Sequence, residues 1–180
     1  MSGSVIWVTG LSGAGKTTLC NALDTLVKQW VPEFFRVDGD VVRELFGAGL
    51  GFSEAERIVQ IKRLQTLAGM LADQGLIVAV AALYANPDLL DWNRNNLPGY
   101  FEVYIEAPME LVQGRDSKGL YAGAADGSIL NVVGVDIAWQ EPPHPDLRIH
   151  ASGGAAPEQL ASQVLQSVPS LAGRVEGRAA

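Results

Sequence analysis

Three features of this 180-residue chain predict an α/β fold, a parallel sheet wrapped by helices. The first is a strand–turn–helix opening. The apolar run Ser4-Val5-Ile6-Trp7-Val8-Thr9 leads into a glycine-rich turn, and helical spacing follows over 17–29 through Leu19, Ala22, Leu23, Leu26 and Val27. The second is alternation. Further apolar runs at 33–37, 76–82, 100–105 and 147–150 are separated by helical patterns, as in βαβ units. The third is a helix start: Ser53 precedes Glu56 by three residues, the capping-box spacing. Behind it Ile58, Ile61, Leu64, Leu67, Ala68 and Leu71 line one face as far as about Gln74, where Gly75 closes the helix.

The remaining elements follow in order. The strand at 33–37 ends at Asp38-Gly39-Asp40, 41–46 reads as a short helix, and Gly47-Ala48-Gly49-Leu50-Gly51 as a loop. The unbroken apolar run 76–82 is expected at the centre of the sheet, since strands buried on both faces read that way. A helix is expected over 87–95, and Pro108 ahead of Met109-Glu110-Leu111-Val112 suits a first helical turn. Residues 117–135 carry much Gly and Ala and little pattern. A last amphipathic helix spans 157–168, and 169–180 reads as a frayed tail. There is no internal repeat, and Ser152-Gly153-Gly154 is too short to separate domains, so 1–180 reads as one domain.

Composition excludes several functions. No run approaches the roughly 20 apolar residues of a membrane span. No basic region precedes the first apolar run, so no signal peptide is expected. A net charge of −7 argues against a surface that coats nucleic acid. The single cysteine, Cys20, cannot close an internal disulfide and suits a small core position. These traits fit a cytoplasmic enzyme with small-molecule partners and neither nucleic acid nor membrane; a homodimer is left open.

The chemistry starts at Gly10-Leu11-Ser12-Gly13-Ala14-Gly15-Lys16-Thr17, which fits G-x-x-x-x-G-K-[ST] between a strand and a helix. The glycines let successive backbone N–H groups point at phosphate oxygens, and the helix N-terminus behind them favours negative charge. Lys16 can reach β- and γ-phosphates, and the Thr17 hydroxyl can bind Mg²⁺. The fold class sharpens to a P-loop NTPase-type three-layer sandwich. Asp38-Gly39-Asp40 falls at the carboxyl end of its strand, the edge where open α/β sheets bind ligands. One carboxylate can orient a hydroxyl or take its proton and the other can fix substrate or a metal-bound water; the same residues also suit a turn that caps the next helix. Arg43, Arg57, Lys62 and Arg63 either converge on an anion or are solvated. Arg115-Asp116-Ser117-Lys118-Gly119-Leu120-Tyr121 supplies cations that could meet the charge of a phosphoryl-transfer transition state. The Gly/Ala-rich stretch after it suits a lid.

Taken together, the phosphate loop with Thr18, Asp38-Gly39-Asp40 with Arg43, Leu50-Gly51-Phe52-Ser53 with Arg57, and Arg115-Asp116 with Lys118-Gly119-Leu120-Tyr121 resemble the adenylylsulfate (APS) kinases. Gly134-Val135-Asp136 and Glu141-Pro142 resemble that family's segment beyond the lid, so the likeness runs from about Val5 to His150. The resemblance implies transfer of the ATP γ-phosphate to a ribose 3′-hydroxyl, with Mg²⁺. It implies ATP contacts at Gly10, Ser12, Gly13, Ala14, Gly15, Lys16, Thr17, Thr18 and Arg115, with Thr17 toward the metal. Acceptor contacts are implied at Asp38, Asp40, Arg43, Phe52, Arg57, Gln60, Ala82, Leu83, Tyr84, Lys118, Gly119, Leu120 and Val132, and catalytic roles at Lys16, Asp38 and Lys118.

The departures fall on the acceptor side. The family's usual Asn after Asp-Gly-Asp is Val41, its Asn on the long helix is Gln60, and its Ser-Pro-Tyr-Arg reads Ala82-Leu83-Tyr84-Ala85. Its Phe-Thr-Gly, whose aromatic stacks on adenine, reads Val132-Val133-Gly134, while the other stacking aromatic, Phe52, remains. One lost aromatic wall forfeits about 1–3 kcal/mol of stacking. Trp92-Asn93-Arg94, Tyr100-Phe101-Glu102-Val103 and 131–136 resemble a divergent branch, the cytidine diphosphoramidate kinases of polysaccharide-modifying pathways. Adenylylsulfate is the leading acceptor, cytidine diphosphoramidate the alternative, and a non-catalytic nucleotide-binding module the rival; the retained Asp38, Lys118 and phosphate loop speak against the last.

Overall fold

The structure, a computed structural model, describes residues 3–47, 49–151 and 154–176; Ala48 of the 47–51 loop and the first two residues of the 152–154 patch lie outside them. Five parallel strands form one sheet in the order β2-β3-β1-β4-β5. They are β1 (Ser4–Thr9), β2 (Phe34–Asp38), β3 (Ile77–Ala82), β4 (Phe101–Glu106) and β5 (Leu147–His150). Every residue of β1 and β3 is buried, which is why both read as unbroken apolar runs. Between them run α1 (Lys16–Val27), α2 (Gly39–Leu45), α3 (Glu54–Asp73), α4 (Pro87–Asn96), α5 (Met109–Arg115) and α6 (Leu120–Ala125), with α7 (Pro157–Ser167) and α8 (Pro169–Glu176) closing the chain. Helix α1 packs against α7, and α3 packs on β3 and β1 beside α4, so helices flank the sheet. No described helix is long and apolar enough to cross a membrane.

The topology places the site. From β1 the chain crosses to β2 and β3 on one side, then passes back over β1 to β4 and β5 on the other. The reversal opens a crevice at the carboxyl ends of the strands. The turn out of β1, Asp38 at the end of β2, and residues 83–84 after β3 all reach that edge.

Three local readings are corrected. The middle strand is β1; β3 is interior but one place off centre, and it reads as an unbroken apolar run because α3 and α1 pack on it, as they would on any interior strand. The 117–135 stretch is not wholly irregular: Leu120–Ala125 forms α6, which starts from Gly119 in the left-handed region (φ 65°) and has Asp116 accepting from the Tyr121 and Ala122 N–H groups. The tail expected to fray over 169–180 is helical as far as it is described, residues 177–180 lying outside the described residues. Pro169 opens α8, Leu171 is fully buried with Val168, and the Ser4 hydroxyl donates to Ser170 Oγ at 2.8 Å. One buried leucine on a two-turn helix leaves too short a pattern to read from sequence.

Leu171→Ala should therefore cost about 2–5 kcal/mol, the range for deleting a buried leucine side chain, read as a lowered midpoint in chemical denaturation. A free tail would give no measurable change.

Candidate active site

A cleft of about 1000 Å³ opens along the carboxyl edge of the sheet, from the phosphate loop to the loop after β3. At one end the chain leaves β1 through Gly10, whose φ is 153° and where a Cβ would lie 2.6 Å from the Ile105 carbonyl oxygen. Only glycine fits so close an approach. Gly15, also left-handed (φ 107°), starts α1 and leaves its first N–H groups facing the cleft. The Lys16 ammonium donates to the carbonyls of Gly10 (2.9 Å) and Leu11 (2.8 Å). Burial of that ammonium is the largest influence on it; Asp40 opposes the effect and Lys118 adds to it, and its pKa falls to about 8.

Asp38 divides its two oxygens. Oδ1 accepts from the Asp40 N–H (2.9 Å) and the Val41 N–H (3.4 Å), capping α2, while Oδ2 accepts from the Thr17 hydroxyl at 2.6 Å. The capping turn and the site carboxylate anticipated from the sequence are thus the same residue. Asp40 pairs with Lys118 across the cleft; both are well exposed. Arg115 donates to the Gly13 carbonyl (3.0 Å) and the Tyr121 hydroxyl to the Ser12 carbonyl (3.0 Å), so the segment after α5 is tied to the phosphate loop.

The other end is built around Phe52, whose ring is 51% exposed. The Arg43 guanidinium lies 4.7 Å from the ring centroid and that of Arg57 5.6 Å. Arg43 donates to the Leu50 (3.3 Å) and Gly51 (2.7 Å) carbonyls. Arg57 joins the two walls, donating to the Phe52 carbonyl (2.9 Å) and to the Asn131 carbonyl (2.7 Å). Desolvation, chiefly, draws the pKa of each guanidinium below its ordinary value; the charge of Arg43 adds to the effect at Arg57. Gln60 donates to the Gly39 carbonyl (2.9 Å), and its buried Oε1 has no partner among the described residues. The opposite wall holds Val132, 4% exposed, behind Asn131, a non-glycine residue in the left-handed region (φ 64°). Asp136 accepts from the N–H groups of both. Ala82 and Leu83 continue β3 along the floor, and the Tyr84 hydroxyl reaches Glu54 at 3.3 Å.

Of the residues singled out in the sequence, Ser12, Gly13, Ala14, Gly15, Lys16, Thr17, Thr18, Asp38, Asp40, Arg43, Phe52, Arg57, Gln60, Ala82, Leu83, Tyr84, Arg115, Lys118, Leu120 and Val132 line this one cleft. Gly10 and Gly119 do not; each serves as a backbone hinge, because its neighbour space or its left-handed φ is the constraint. Sequence reading missed the role of the Asn131 carbonyl and the anchoring Tyr121 hydroxyl. An Asn five residues before an Asp, in a stretch without helical pattern, was the available signal for the first. It also missed the wall formed by His150, Ala155, Pro157 and Leu160, which had no motif to mark it.

Comparison with known proteins bears on this geometry. The Adenylylsulphate kinase family profile matches residues 2–150. An adenylyl-sulfate kinase of Chloroflexus aurantiacus is 42% identical over 159 residues, 88% of this chain and 86% of its own length. One from Deinococcus deserti is 40% identical over 148 residues, 82% of each chain. The solved structure of the Mycobacterium tuberculosis APS kinase CysC in complex with AMPPNP and APS superposes with a TM-score of 0.82 at 30% identity, covering 92% of this chain and 97% of that one. With its phosphate loop at the end of the central strand and Phe52 within cation–π reach of Arg43 and Arg57 in the same cleft, the chain belongs to the adenylylsulfate kinase family of ATP-dependent phosphotransferases.

Proposed function

We propose that the protein transfers the γ-phosphate of ATP to the ribose 3′-hydroxyl of a nucleotide carrying an acidic anhydride group, with adenylylsulfate as the leading acceptor. The observation that carries this reading is the single cleft that sets Lys16, Asp38 and Lys118 opposite a Phe52 ring flanked by Arg43 and Arg57. The tuberculosis relative, named for its complex with AMPPNP and APS, supports it.

In this mechanism the loop N–H groups and Lys16 hold the β- and γ-phosphates. Phe52 stacks on the acceptor base while Arg43 and Arg57 attract its anhydride charge. The acceptor 3′-oxygen bonds to the γ-phosphorus, the β–γ bridging P–O bond breaks, and the hydroxyl proton passes to Asp38 Oδ2. Lys118, released from Asp40, and Arg115 meet the charge on the transferring group. The residues present fit Mg²⁺: Thr17 Oγ1, at the start of α1, would hold it, and no group of three or more His, Cys, Asp or Glu among the described residues forms an all-protein cage. Such an ion takes most of its ligands from phosphate and water, and when bound it neutralises phosphate charge.

The second reading, a cytidine diphosphoramidate acceptor, is favoured by one feature. Val132 gives the base pocket an aliphatic wall where a second aromatic would sandwich adenine.

Asp38→Asn should lower kcat about 10²–10⁴-fold and change the ATP KM far less, as expected for a positioned base; a loss confined to ATP binding would make Asp38 a metal-side group instead. Val132→Phe should raise kcat/KM for adenylylsulfate relative to a cytidine acceptor in a paired turnover assay. Efficient use of adenylylsulfate by the unaltered protein, with none of the cytidine compound, would show that the valine is neutral.

Lys16 supplies a pH test. A lysine with its pKa lowered to about 8 loses its charge as pH rises through that value. ATP affinity of the free enzyme should be full below it and fall about tenfold by one pH unit above it, because the neutral amine gives up its hold on phosphate. Binding titrations at pH 7 and pH 9 measure the effect, and Lys16→Ala should flatten the dependence while weakening binding at both.

A further inference from the structure

Glu56 touches no part of the cleft, yet its carboxylate fixes the loop that carries Phe52. It is the third residue of α3, and Oε2 accepts from the Ser53 N–H (3.1 Å) and the Ser53 hydroxyl (2.5 Å). That much is a capping box. The other oxygen reaches past the cap: Oε1 accepts from the Gly51 N–H at 2.7 Å. Gly51 has no side chain to hold the carboxylate off, since a Cβ there would lie 2.8 Å from Glu56 Oε2. The N–H groups on both sides of Phe52 are therefore tied to one anion.

The carbonyls of the same loop face the cations. Leu50 and Gly51 accept from Arg43, and Phe52 accepts from Arg57, which also holds the Asn131 carbonyl on the far wall. The loop thus runs between a carboxylate on its N–H side and two guanidiniums on its C=O side. Phe52 is half exposed, and these polar ties fix the backbone on both sides of it. The hydrogen bonds from Gly51 and Ser53 also keep the Glu56 carboxyl below its usual range, so it is the anion that holds the loop.

Resting on the proposed nucleotide acceptor, we propose that Glu56 is a positioning residue for acceptor recognition: through the Gly51 and Ser53 N–H groups it sets the pose of Phe52 and, with it, of Arg43 and Arg57. Its carboxylate acts on acceptor KM and not on the phosphate loop, which lies at the other end of the cleft.

The test separates this role from helix capping. Glu56→Gln keeps a side chain of the same shape but cannot serve both N–H groups as an anion. Ser53→Ala removes the cap hydroxyl and leaves the Gly51 tie in place. With ATP and adenylylsulfate, Glu56→Gln should raise the adenylylsulfate KM about tenfold, the size of one lost charge-assisted hydrogen bond. The kcat and the ATP KM should stay within about twofold, and Glu56→Asp should recover part of the loss. Amide hydrogen exchange at Gly51 should speed up in Glu56→Gln and hold in Ser53→Ala. An unchanged adenylylsulfate KM in Glu56→Gln, or equal KM increases in Glu56→Gln and Ser53→Ala tracking a common fall in Tm, would overturn the proposal and leave a plain helix cap. Absence of turnover by the unaltered protein with either acceptor would instead overturn the acceptor reading itself.

Discussion

Everything at the mouth of the cleft depends on how tightly the chain turns out of β1. Gly10 passes so close to the Ile105 carbonyl that no side chain can stand there, and this contact presses the phosphate loop against the end of β4. From that fixed start, Gly13 and Gly15 curl the backbone and α1 begins with its N–H groups toward the cleft. Lys16 is the consequence. With the loop closed above it, its ammonium is desolvated and takes two carbonyls for partners. A close backbone approach between two central strands thereby becomes a perturbed cation in the phosphate loop.

The same device recurs along the cleft. Lys16, Arg43, Arg57 and Arg115 all donate to backbone carbonyls, while most surface cations pair with carboxylates, as Arg36 does with Asp24 and Arg148 with Glu106 and Glu141. A cation satisfied by neutral dipoles has no counter-ion to give up, so no ion pair has to be broken before an anion binds. Lys118 is the exception, held by Asp40, but that pair is exposed and such pairs contribute on the order of 0–1 kcal/mol. A chain of net charge −7 can thus suit the two anionic nucleotides proposed for it, because its local field in the cleft is set by carbonyl-held cations and not by the sum of its charges.

What the sequence made legible was what repeats a pattern. The β1 run, the G-x-x-x-x-G-K-[ST] spacing and the Ser53/Glu56 cap each encode one local geometry, and each lies where the spacing put it. Legibility ended where geometry came from contacts distant in sequence. Nothing near Asn131 announces that its carbonyl meets Arg57, 74 residues away. Nothing around Leu171 announces that Ser4 reaches the neighbouring Ser170. The position of β3 depends on which strands it pairs with, and burial on both faces reads alike for any interior strand. Asp38 carried two readings, cap and site carboxylate: Oδ1 makes the cap, while Oδ2 meets the Thr17 hydroxyl and the residue lines the cleft.

The division of the cleft also explains where the chain tolerates change. The loop N–H groups proposed to hold phosphate take their geometry from glycines and a helix start, and at Gly10 the close approach to Ile105 leaves no room for a side chain. The proposed acceptor pocket has side chains on two walls, Phe52 on one and Val132 on the other, whose backbones are held separately, by Glu56 and by Asp136. Arg57 bridges those walls through carbonyls, which any residue at Phe52 or Asn131 would offer. Ring can therefore give way to aliphatic side chain at Val132 without loosening the frame. Because Glu56 and Asp136 hold the frame through backbone N–H groups, the side chain at Val132 can vary while the charge-bearing part of the cleft stays as it is.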